Sequence, residues 1–182
     1  MQRREALRVG LGTFLFTLGG VPMALSAERA YALKADLRVL SAAQAATLEA
    51  VGETLLPGAR EAGIAYFIDH QLSVNSGDCL LFARCVDVAP PYADFYHALI
   101  TALDTCANAL YHKSFAALAA APRAQLVERM RDGKLADWKG PPSPFVFFVL
   151  RNDATDVVYG TVEGFKKLGV PYMPHIEPTQ KW

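Results

Sequence analysis

The chain is short of cysteine, carries no surplus of either charge and has no glycine-rich phosphate loop, and each shortage removes a class of function. Only three cysteines occur in 182 residues, at Cys79, Cys85 and Cys106. None forms a Cys-x-x-Cys pair, which excludes both a thioredoxin-like redox motif and an attached c-type haem. Eighteen basic side chains balance eighteen acidic ones. Nucleic acid requires a clustered basic surface, and this composition gives none. No Gly-x-Ser-x-Gly elbow and no dinucleotide fingerprint is present. The four histidines do not take the Glu-x-x-His spacing of a helical-bundle metal site. Asp69 and His70 are neighbours on different faces, His97 and His112 lie far apart, and His175 sits near the C-terminus. Asp94 with His97, and Asp153 with Asp156 beside Arg151, have i, i+3 spacing and read as solvated polar faces. Strand-like alternation and internal repeats are missing as well.

What is present begins with an address. Arg3 and Arg4 precede an apolar run from Val9 to Leu25 that is interrupted by Gly10, Gly12, Gly19 and Gly20. That run is too short and glycine-rich for a span of about 20 apolar residues. Ala30-Tyr31-Ala32 has the small-x-small pattern that signal peptidase reads, which predicts cleavage before Leu33. Residues 1–32 are therefore expected to be a leader of the twin-arginine type, which exports proteins already folded. An ordinary secretory leader and an uncleaved anchor are the alternatives. Beyond position 32, 14 basic and 16 acidic residues remain. Residues 33–182 suit one domain with a single core.

That domain reads as all-α, a single compact unit of five to six helices with an irregular proline-rich C-terminal tail. Ser41 and Gln44 have capping-box spacing. Leu48, Val51, Leu55 and Leu56 then share a stripe as far as Pro57-Gly58. Residues 61–72 are expected to pack one face and expose the other, and residues 79–88 to make a short helical turn or two. After Pro90-Pro91, the rhythm from Tyr92 to Tyr111 predicts the clearest helix, of about five turns, and the centre of the core. A segment from Pro122 to Gly133 follows. Ser143 is the expected cap of a helix in which Phe145–Leu150 is apolar on all sides and must be covered on all sides. A short helix is expected over residues 162–168. Pro171, Pro174 and Pro178 then forbid regular structure. Cys79 and Cys85 are close enough for a local disulfide, which leaves Cys106 as a buried small hydrophobe or, as the odd thiol of an exported protein, a residue that pairs with another chain.

In order and spacing the chain resembles the gluconate 2-dehydrogenase subunit 3 family. The resemblance rests on Leu40-Ser41-Ala42-Ala43-Gln44 leading to Leu55-Leu56-Pro57 and Glu61-Ala62-Gly63-Ile64-Ala65-Tyr66-Phe67-Ile68-Asp69. It rests also on Phe145–Arg151 and on Gly164-Phe165-Lys166-Lys167-Leu168-Gly169-Val170-Pro171-Tyr172. Tyr159-Gly160-Thr161 departs from the glycine-glycine-asparagine stretch of many members.

The resemblance implies a non-catalytic small subunit of an exported FAD-dependent sugar or alcohol dehydrogenase, with no catalytic, cofactor or metal residue of its own. Its implied partner is a large flavoprotein subunit of the glucose-methanol-choline type, which holds the FAD. A membrane-bound cytochrome c subunit with haem is implied as electron acceptor. The small subunit would carry its partner to the periplasm and stabilise it, and would be membrane-associated through the complex. Phe147, Arg151, Tyr159, Tyr172, His175 and Trp182 are the expected partner contacts. The competing reading is a free-standing periplasmic helical protein whose aromatic-lined core takes a small apolar ligand.

Overall fold

A computed structural model describes residues 13–169 of the chain. It is mostly helical, with one small two-stranded sheet. Strand β1 (Phe14–Leu18) pairs antiparallel with β2 (Val21–Leu25), Leu18 opposite Val21. The Gly19-Gly20 turn between them has positive φ at both residues, a backbone that glycine reaches without steric cost. This hairpin corrects the expectation that the sequence holds no strand. Helix α1 (Ala27–Leu33) follows, with Ser26 accepting from the Arg29 amide as its N-cap and Lys34 closing it in the left-handed conformation.

Helix α2 (Ala42–Leu55) starts on the expected capping box, Ser41 and Gln44 bonding reciprocally. Helix α3 (Ile64–Ser73) begins at Gly63, and the short α4 (Phe82–Cys85) leads to α5 (Tyr92–Tyr111). A 3₁₀ turn at Phe115–Ala117 precedes α6 (Ala120–Arg131), α7 (Ser143–Tyr159) and α8 (Val162–Lys167). Helix α6 begins two residues ahead of Pro122, because proline is tolerated anywhere in a first turn whose amides have no intrahelical acceptor. Helix α7 is capped at Pro142, so Ser143 is its first helical residue and is buried, where a cap had been expected.

The centre of the core is α2 and not α5. Helix α2 touches α3, α5, α6, α7 and the 3₁₀ turn. Its buried positions are mostly small, Ala45, Thr47, Ala50 and Gly52 beside Leu48 and Val51, so neighbours can approach on every side. At Gly52 an added Cβ would press on both terminal methyls of Ile64.

Helix α3 differs from the sequence reading too: Ile64 to Gln71 are buried without interruption, leaving no exposed face. The face expected to meet solvent is covered by β1 and α1. Within it, Asp69 accepts the backbone amides of Arg38, Val39 and Leu40 at 2.8–2.9 Å and so pins the link between α1 and α2. Three donors on one buried carboxylate are worth several times one neutral bond. Replacing Asp69 by Ala orphans all three, and the expected cost is about 3 kcal/mol, read as a melting point lower by roughly 6–12 °C in thermal circular dichroism.

Candidate partner interface

Helix α7 carries the aromatic band. Val146, Val149 and Leu150 are buried, Phe145 and Phe147 are half-buried against the core, and Phe148 faces outward at 44% exposure. The band is therefore not covered on all sides. Among the described residues the ring contact of Phe148 is with Phe82 of α4, edge to face, centroids 5.2 Å apart. The loop that carries Phe82 also presents Leu80 at 58% exposure. Arg151 lies exposed one turn beyond Phe148, and Tyr159 ends the helix half-buried.

What fixes this arrangement is Asp153, on the inner side of α7. Its carboxylate accepts the Phe82 amide at 2.9 Å through Oδ1 and the Tyr96 hydroxyl at 2.6 Å through Oδ2. Helix α4 has no side-chain cap of its own, so Asp153 supplies one from 71 positions away. Arg84 then ties back to the Cys79 carbonyl. The pair Asp153 and Asp156 therefore does not form the polar face that its spacing suggested: Asp153 is fully buried and Asp156 is exposed. The sequence marked Asp153 by its spacing to Asp156 but not as a buried anchor, because its partners come from distant segments. Leu80 and Phe148 were readable as apolar residues, but not as exposed ones.

Burial raises the Asp153 carboxyl to about 7, the hydrogen bonds from Tyr96 and Phe82 opposing the rise and Asp156 adding to it. Burial and the neighbouring Asp153 also hold the Tyr96 hydroxyl well above its ordinary value.

The remaining predicted positions are scattered. Cys79 and Cys85 are unbridged, Cys79 buried and Cys85 exposed; Cys106 is buried in α5 as expected. Burial pushes the thiols of Cys79 and Cys106 up, so both favour the protonated form. Ala30 and Ala32 lie in α1, the first buried and the second exposed. Arg3, Arg4, Tyr172, His175 and Trp182 fall outside the described residues. Among the described residues no three metal-binding side chains gather, and no helix is long and apolar enough to cross a membrane. A surface cavity of about 290 Å³ is lined by Ser26, Glu28, Arg29 and Ala32, without an aromatic residue.

A mostly helical domain with an open aromatic patch centred on one long helix is the class of protein that this geometry defines. Residues 42–176 match the family model described as gluconate 2-dehydrogenase subunit 3, and the chain belongs to that family. It is thus a small subunit of a dehydrogenase complex. No curated protein and no solved structure matches it.

A carboxyl raised in the fold binds its proton there at pH values where the unfolded chain has lost it. Its contribution to stability is complete below the ordinary value of 3.8 and is lost as pH rises through about 7. Asp153→Asn removes this dependence. In urea titrations from pH 4 to 8, the variant should therefore gain on the wild type as pH rises, by up to about 1.4 kcal/mol per pH unit below 7.

Proposed function

We propose that this chain is the non-catalytic small subunit of an FAD-dependent dehydrogenase acting on sugar or alcohol hydroxyls, and that it escorts the flavoprotein subunit through twin-arginine export and stabilises it. The FAD belongs to the large, glucose-methanol-choline-type partner. A cytochrome c partner holds haem and takes the electrons at the membrane. The complex works in the periplasm.

The observation that carries this reading is the open Phe82–Phe148 pair. Exposed Phe148 and Leu80, with the half-buried Phe82 whose amide a buried carboxylate holds, form an apolar patch, and aromatic anchors dominate interface energies. Phe147 and Arg151 lie near Phe148 on α7, Tyr159 lies at the far end of the same helix, and all three are proposed partner contacts. Tyr172, His175 and Trp182 are proposed to add anchors from the tail. Membership of a subunit family supports assigning the patch to the dehydrogenase partner. The ligand-binding alternative wants an aromatic-lined cavity, and the surface cavity beside α1 is lined by Ser26, Glu28, Arg29 and Ala32 instead.

Phe148→Ala should leave the melting temperature nearly unchanged, since the ring is already half in solvent, and weaken assembly with the purified flavoprotein about 30-fold, equivalent to about 2 kcal/mol. Unchanged affinity in a binding titration would remove the patch from the interface. Replacing Arg3 and Arg4 together by lysine should retain both this chain and the dehydrogenase activity in the cytoplasm, as read by cell fractionation. Normal periplasmic activity in that variant would end the escort role.

A further inference from the structure

The predicted leader does not stand apart from the domain. Phe16, Leu25 and Ala30 form a second buried cluster with Ala35 and Tyr66, and Ala30 is 0% exposed. The Phe14 ring meets Phe67 at 5.7 Å and His70 at 5.0 Å, the Phe16 ring meets Tyr66 and His70, and Tyr31 meets Tyr66 at 6.2 Å. Hydrogen bonds also join the two sides of the expected cleavage point. The Asp36 amide donates to the Thr17 carbonyl at 2.7 Å, Arg38 Nη2 to the Leu15 carbonyl at 2.7 Å, and the Ala35 amide to the Ala30 carbonyl at 3.0 Å.

The receiving surface is shaped for this segment. Gly63, at φ 84°, starts α3 where an added Cβ would collide with the Ala27 carbonyl of α1. Only a residue without a side chain fits that contact. Burial among these rings lowers the proton affinity of His70, with Arg38 acting in the same direction and Asp69 opposing. Without residues 14–32, Tyr66, Phe67 and His70 would lose the rings that now cover them.

Peptidases act on locally opened chain, and the Ala32–Leu33 bond lies in a capped, packed helix. We propose that residues 14–32 stay in the mature protein as a clasp over α3, and that Ala30-Tyr31-Ala32 is not a processing site. The clasp holds whichever export route the chain takes.

The test uses the complex purified from cells carrying the full-length gene. Intact-mass spectrometry and N-terminal sequencing should give a chain that begins before Phe14; a chain beginning at Leu33 would overturn the proposal. Hydrogen exchange on the same material separates a docked clasp from a leader that merely escaped cleavage. The amides of residues 30–33 should exchange at least about 100-fold more slowly than in a free peptide of residues 26–36, and exchange at the peptide rate would refute docking. Gly63→Val provides the converse: its residues 30–33 should lose that protection while the α5 amides keep theirs. Protection retained at residues 30–33 in this variant would also count against the clasp as described.

Discussion

Helix-borne carboxylates that collect backbone amides from neighbouring loops hold the irregular parts of this fold in place. Asp69 takes three amides between α1 and α2, and Glu53 takes those of Gly58 and Arg60 beyond α2. Asp104 takes the Phe115 amide and the Thr47 hydroxyl, and Asp153 takes the Phe82 amide and the Tyr96 hydroxyl. The ion pairs found among the described residues join Arg131 and Lys134 to Glu128 and Asp132, and none involves these four acids. A carboxylate without a cation offers all of its acceptor capacity to amides, which carry no countercharge of their own. The fold therefore gains positional accuracy where its chain is least regular, and at Asp153 it accepts a raised proton affinity as the cost.

The proposed interface depends on that accuracy. Two aromatic clusters flank the helical core. One, built from Phe14, Phe16, Tyr31, Tyr66 and Phe67 around His70, is closed by the chain's own N-terminal segment. The other, Phe82 with Phe148, is open. Had α4 been free to swing, Phe82 could fold away and the open cluster would lose its rigidity. The Asp153 bond to the Phe82 amide prevents this, so the patch is presented in one geometry, and little ordering entropy remains to be lost on binding.

Signals confined to a single turn or a single helix were legible in the sequence. The Ser41–Gln44 capping box and the limits of the Tyr92–Tyr111 helix coincide with the structure, because caps, proline stops and a 3.6-residue rhythm act over a few residues. The hairpin was legible in principle, since Gly19-Gly20 between two apolar runs is a turn signature. It was obscured because an apolar run behind paired arginines reads equally well as a leader. What could not be read was which apolar surface remains open. Residues 64–71 look amphipathic and are wholly buried, whereas residues 145–150 look uniformly apolar and leave Phe148 in solvent.

By itself the sequence determined the class: a helical domain, its family, and the absence of the commoner catalytic motifs from its local patterns. Only the tertiary structure decided that α2 is the hub, that Asp153 is a buried anchor, and that the segment before Leu33 packs over α3. The physical reason is range. Periodicity and capping are settled by neighbours along the chain, while burial of a carboxylate or exposure of a ring depends on partners 29 to 71 positions away that meet only when the helices pack.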